Sequence, residues 1–180
     1  MNLTRPDFKK MMEKGTGLSG FEWPDSCGSF DFVIKKDGSW FYKGTPIGRK
    51  KLCQLFAVTL QKDKEGYWLV TPKERGKIEV EDAPFFVVEM NIKNSGTDKQ
   101  VIQFRTTLDW WISAGSDNKI WVEIDEKTQE PSPYLYIRDG LHARLNRNVF
   151  YQLCNEAELV GDELVIKSQG ELFSLGKINE

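Results

Sequence analysis

The stretch Phe30-Asp31-Phe32-Val33-Ile34-Lys35-Lys36-Asp37-Gly38-Ser39-Trp40-Phe41-Tyr42 decides the fold class. Phe30, Phe32 and Ile34 alternate with Asp31 and Val33, Asp37-Gly38 supplies the residues a tight turn needs, and Trp40 and Tyr42 resume the alternation, so the stretch predicts a β-hairpin. Thr45-Pro46 then opens a run in which Ile47, Leu52, Leu55, Phe56 and Leu60 recur near helical spacing. This predicts a helix with Thr45 as N-cap that runs to about Gln61. A strand over 67–71 completes a strand-strand-helix-strand order.

Working outward, Lys77 to Val80 and Ala83 to Met90 read as strands, and Asn94-Ser95-Gly96 turns the chain into a further strand over 100–106. Thr71-Pro72-Lys73-Glu74 offers a capping pattern for a single turn, and Asp109-Trp110-Trp111 begins a short irregular or one-turn helical piece. Strands over 119–125 and 134–138, a helix from Asn146 to about Leu159, and strands over 163–167 and 171–175 follow. Upstream, Thr4-Arg5-Pro6-Asp7 is a helix start and Gly15-Thr16-Gly17 its end. The interval 18–28, containing Trp23 and Cys27, has no period and reads as an ordered loop.

The two halves align. A shift of 98 places Arg49-x-x-Leu52-x-Gln54-Leu55 on Arg147-x-x-Phe150-x-Gln152-Leu153, and a shift of 95 places Gly66-x-x-Leu69-Val70 on Gly161-x-x-Leu164-Val165. The expected fold is therefore α+β, with two pseudo-repeated strand-strand-helix-strand subdomains and mainly antiparallel sheets. Residues 1–29 form an N-terminal helix and loop, 30–108 the first repeat and 109–180 the second. The junction falls near 108–115, where a cleft is a common ligand site.

Composition limits the function. The 180 residues are 39% hydrophobic and 12% aromatic, enough for a sizeable core, and 25 Lys plus Arg against 27 Asp plus Glu give a net charge of -2. Such balance argues against a nucleic-acid binder, whose affinity rests on many cations facing phosphates. The opening residues carry no apolar run behind their charges, and no apolar stretch is long enough for a bilayer, so a cytoplasmic location without membrane association is expected. Cys27, Cys53 and Cys154 are odd in number and widely spaced, which fits neither a disulfide framework nor a metal knuckle.

The run Cys27-Gly28, Asp37-Gly38-x-Trp40-x-Tyr42-x-Gly44-x-Pro46-Ile47-x-Arg49, Leu55-Phe56, Leu69-Val70-Thr71-Pro72-x-Glu74 and Ile78-x-Val80-x-Asp82-Ala83-Pro84-Phe85 resembles the bacterial domain of unknown function family 1285. Phe104-Arg105-Thr106, Arg138-x-Gly140-Leu141-x-Ala143 and Ser174-Leu175-Gly176 extend the resemblance over nearly the whole chain. It implies repeated structural motifs in two subdomains and ligand binding linked to signalling, without a catalytic residue. Gly76 and Lys77 depart from it, standing where an aromatic is commoner.

Candidate chemistry is sparse. His142 is the single histidine, so no histidine pair for metal or relay chemistry exists within one chain. As a general base it needs a positioned acid; a loop histidine satisfied by backbone is the plainer meaning. Cys27 needs a pKa-lowering neighbour to be a nucleophile and reads as structural, as do Cys53 and Cys154. The acids Glu79, Glu81, Asp82 and Glu89 read as solvated strand positions. Metal, cofactor and catalytic residues are assigned to none.

The arginines offer more. Arg49 opens the first predicted helix beside Gly44 and Gly48, and Arg138, Arg144 and Arg147 surround the second, where a guanidinium can bind carboxylate or phosphate in a bidentate manner. Ion pairing within the fold is the alternative. Six tryptophans, at 23, 40, 68, 110, 111 and 121, exceed core needs, and adjacent Trp110 and Trp111 point in different directions. The reading that follows is a regulatory module taking a small anionic ligand through Arg49, Arg138, Trp40, Tyr42, Trp110 and His142. A protein-interaction module acting as a homo-oligomer or on a partner ranks second, and an enzyme using His142 or Cys27 third.

Overall fold

A computed structural model describes residues 26–71 and 74–177. The helix expected from Thr4, the loop containing Trp23, the side chain of Cys27 and Pro72-Lys73 lie outside the described residues. Within them the chain divides between Pro84 and Phe85 into two units, the turn Asp139–Leu141 being grouped with the first.

The first unit holds β1 (Ser26–Ile34), β2 (Trp40–Tyr42), β3 (Thr45–Pro46), α1 (Lys50–Thr59), β4 (Leu60–Asp63), β5 (Gly66–Val70) and β6 (Arg75–Val80). The predicted hairpin is present: Ile34 pairs with Trp40 and Phe32 with Tyr42, and Gly38 turns the chain at φ 78. The sheet order is β3-β2-β1-β6-β5-β4, with β1 and β6 parallel and every other neighbour antiparallel. Thr45 is not a helix cap. It pairs with Tyr42 as part of β3, and Arg49 takes the N-cap of α1 with no side-chain cap hydrogen bond. Cys53 and Ala57, one turn apart, give α1 its buried stripe.

The second unit repeats the topology. It contains β7 (Phe85–Lys93), β8 (Val101–Thr106), β9 (Trp111–Ser113), β10 (Ile120–Ile124), β11 (Pro131–Arg138) and β12 (Leu141–Leu145), ordered β10-β11-β12-β7-β8-β9 with β12 and β7 parallel. Read from the other edge, 9-8-7-12-11-10 reproduces 3-2-1-6-5-4. Each sheet is thus two three-stranded meanders joined through a parallel pairing of its first and last strands, a contact that needs a long excursion of chain between them.

The repeating element is therefore a six-stranded sheet, and the fold is mostly β, not α+β. The second helix, α2 (Arg147–Asn155), follows the sixth strand of its sheet, whereas α1 lies between the third and fourth. The shift of 98 aligned two similar helix entrances at unequal places in the topology. The sheet pairing also sets the boundary: β7 and β8, assigned from sequence to the first repeat, pair with β12 and β9, and residues 108–115 form β9 and its flanks inside the second sheet.

Asn146 caps α2, its side chain accepting the Val149 N–H at 2.7 Å, and Val149, Phe150 and Leu153 form the buried face. A three-stranded sheet closes the unit: β13 (Glu158–Val160), β14 (Glu163–Ser168) and β15 (Glu171–Lys177). It is pinned by Ser168, fully buried, whose hydroxyl accepts the Ile102 N–H at 2.9 Å and donates to the Ala114 carbonyl at 2.7 Å.

Candidate functional site

Cross-strand register builds one aromatic and cationic cluster in the second unit. Trp121 on β10 lies opposite Tyr134 on β11, so their rings stack with centroids 5.4 Å apart and planes 26° apart. His142 and Arg144 are two residues apart on β12 and so project on the same side. The His142 ring meets Tyr134 edge-on at 5.2 Å and 83°, and Trp121 at 5.6 Å. Arg144 donates to the Tyr134 hydroxyl at 3.0 Å, with its guanidinium carbon 5.1 Å from the Tyr134 ring centroid. Trp121 Nε1 donates to Glu123 at 3.0 Å.

Tyr134 is buried; Trp121, His142 and Arg144 are half-buried. A guanidinium fixed on a phenol keeps its planar fork oriented, which favours bidentate binding of an oxyanion. The neighbouring indole and imidazole supply flat surfaces for a ring carried by the same molecule.

The first unit has a related arrangement that is closed by its own carboxylate. The Arg75 guanidinium lies 3.9 Å from the Trp68 ring centroid and is ion-paired with Asp63. Asp63 also accepts Trp68 Nε1 and the Glu65 N–H, each at 2.8 Å. The Trp68 hydrogen bond first, then the Glu65 amide and Arg75, outweigh desolvation and hold the Asp63 carboxyl at about 2.

The residues singled out from sequence fall in different places. In the first unit, Trp40 is buried and stacked on Phe56 at 6.4 Å, Tyr42 is exposed beside Phe32 and under Lys43, and Arg49 is exposed at the start of α1. In the second, Trp110 is buried against Phe85 at 5.6 Å, Trp111 is half-buried on β9, and Arg138 is half-buried at the end of β11. His142 belongs to a strand, not a loop, and is the one of the six that joins the cluster.

Trp121, Tyr134 and Arg144 were not combined with His142 from sequence, although Leu141-His142-Ala143-Arg144-Leu145 alternates strictly and carried the signal. Arg147 is engaged on the surface of α2, donating to the Tyr151 hydroxyl at 2.6 Å. Burial pushes the Cys53 and Cys154 thiols upward, keeping both protonated. Among the described residues no group of three or more His, Cys, Asp and Glu side chains is placed to hold a metal ion, and no helix is long and apolar enough to cross a membrane.

Family models match both parts of the chain: the N-terminal domain of a domain of unknown function, DUF1285, over residues 22–83, and the C-terminal domain of the same protein of unknown function over 84–175. The chain belongs to the DUF1285 family. Its division into two domain models falls beside the Pro84–Phe85 division of the structure.

Among solved structures, a DUF1285 family protein from Silicibacter pomeroyi DSS-3 is 37% identical, with a TM-score of 0.79 over 86% of this chain and 84% of that one. A DUF1285 family protein from Shewanella baltica OS155 is 26% identical, with a TM-score of 0.55 over 72% of this chain and 94% of that one. No curated protein matches the chain.

Proposed function

We propose that this DUF1285 protein is a regulatory module that binds a small anionic ligand in its second unit, on the face formed by Trp121, Tyr134, His142 and Arg144. The observation that carries the reading is the fixed guanidinium: Arg144 is oriented by the Tyr134 hydroxyl at 3.0 Å with an imidazole and an indole beside the same ring. That combination suits a carboxylate or phosphate attached to a planar ring. The charged group would be received by Arg144 and the ring by Trp121 and His142. Binding is favoured over turnover because the described thiols are protonated and the imidazole is engaged with two aromatic rings. Arg49, Arg138, Trp40, Tyr42 and Trp110 are left outside this face.

The test is a thermal-shift screen with aromatic carboxylates, nucleoside monophosphates and inorganic phosphate, followed by calorimetry on any hit. At a hundredfold excess over Kd the bound ligand stabilises the protein by about 2.7 kcal/mol. Arg144→Gln should weaken binding by about tenfold or more, while Lys64→Ala, exposed in the β4–β5 turn of the first unit, leaves it unchanged. A screen with no shift, or equal affinity in Arg144→Gln, would overturn the proposal.

A further inference from the structure

The charges of this nearly neutral chain are segregated in two places where apolar side chains also face water. Between Asp37 and Asp63 the sequence holds no acid but five cations, Lys43, Arg49, Lys50, Lys51 and Lys62. Between Arg147 and Lys167 it holds no cation but four acids, Glu156, Glu158, Asp162 and Glu163.

The basic stretch leads into α1. Because Cys53 and Ala57 set the buried stripe of that helix, Leu52 and Leu55 fall on its solvent side, 38% and 61% exposed. The N-terminal turn of α1 carries no acidic residue to offset the helix dipole, which adds to the positive potential there.

The acidic stretch contains β13, the outer strand of the three-stranded sheet. Leu159 and Val160 lie on it, 60% and 61% exposed. Successive strand residues point to opposite faces, so β13 offers an apolar side chain on each side. Asp162 is met by Lys177 at 2.9 Å, an exposed pair that high-dielectric solvent keeps weak.

Exposed leucines ringed by one sign of charge mark an association surface, and here the chain carries both signs. We propose that α1 of one copy docks on β13 of a second copy, with Leu52 and Leu55 against Leu159 and Val160 and with Arg49, Lys50 and Lys51 facing Glu156, Glu158 and Glu163. The occupant is another copy of this chain because the same sequence supplies the complementary patch in both apolar character and charge. This contact is independent of the Arg144 face.

Sedimentation velocity on the full chain, over a wide concentration range at low and high salt, tests it. Association should appear at low salt and weaken as salt rises, since these charges are solvent-exposed. Lys50→Glu with Lys51→Glu, and separately Glu156→Lys with Glu158→Lys, should each weaken association by about tenfold. An equimolar mixture of the two variants should associate again, because each then carries the charge the other lacks. A monomer at every concentration in low salt overturns the proposal, as does association that neither reversal changes or that mixing fails to restore. Should a charge variant fail to fold by circular dichroism, Leu55→Ser and Leu159→Ser carry the test, and both must weaken association.

Discussion

Ser168→Ala removes one oxygen atom and exposes the energetic logic of the second unit. The Ser168 hydroxyl lies fully buried between β8 and β9, accepting from the Ile102 amide at 2.9 Å and donating to the Ala114 carbonyl at 2.7 Å. Alanine keeps the Cβ and leaves a buried donor and a buried acceptor facing an apolar methyl. Each unsatisfied group costs about 1–3 kcal/mol, so the variant should lose roughly 2–6 kcal/mol, a large share of the 5–15 kcal/mol typical of a whole domain. At about 2–4 °C per kcal/mol for a chain of this size, Tm should fall by roughly 4–24 °C. Urea denaturation supplies the free-energy difference, and native-state hydrogen exchange at Ile102 locates it. Ser174→Ala, exposed on β15, is the control and should shift stability by less than about 0.5 kcal/mol. A loss below about 0.5 kcal/mol in Ser168→Ala, with the Ile102 amide still protected, would refute the reasoning by showing that another group or a water takes the place of the hydroxyl.

Gly76→Ala should destabilise the first unit by about 1–3 kcal/mol, because a Cβ at Gly76 would stand 2.2 Å from the Phe30 ring. The Phe30→Ala/Gly76→Ala double variant should lose less than the sum of the two singles in chemical denaturation, and additive losses would exclude the clash as the cause. Asp63 titrates at about 2 in the folded state against an ordinary 3.8. A depressed carboxyl contributes stability that is fully present above the unfolded value and disappears as pH falls from about 4 towards 2. Asp63→Asn should flatten the pH dependence of Tm in that window, and an unchanged slope would remove Asp63 from the acid response of the fold.

Most of the strands were legible because their pattern is local. Phe30 to Tyr42, Phe85 to Lys93 and Val101 to Thr106 alternate or turn in ways that identify each strand without its partner. The pairing was not legible. Nothing local in β1 indicates that its second neighbour is β6, or in β7 that it is β12, and these two parallel contacts distinguish a six-stranded repeat from a strand-strand-helix-strand unit. Short strands were missed for a related reason: β3, β9 and β13 span two or three residues, too few for a period. The departure at Gly76 has a structural account, since Phe30 lies over the glycine and fills with an aromatic ring the space that a side chain there would need. At the candidate site His142, Arg144 and Trp121 were each noted from sequence but not joined to one another or to Tyr134, because the four come together only through neighbouring strands.

The internal repeat gives the ligand proposal a comparison within the chain. In both sheets an arginine from the sixth strand lies over an aromatic ring of the fifth: Arg75 over Trp68 at 3.9 Å, Arg144 over Tyr134 at 5.1 Å. In the first sheet the fourth strand contributes Asp63, whose carboxylate receives both the arginine and the indole N–H, so an oxyanion built into the chain completes the arrangement. In the second sheet the fourth strand contributes Trp121, and its indole N–H is turned to Glu123 while its ring stacks on Tyr134. A ligand on that face would offer Arg144 what Asp63 Oδ2 offers Arg75, an acidic oxygen against the guanidinium. In the first sheet the chain itself supplies the oxygen that Arg75 contacts; on the proposed reading of the second, a ligand adds an oxyanion beside Arg144, and that contact then varies with ligand concentration.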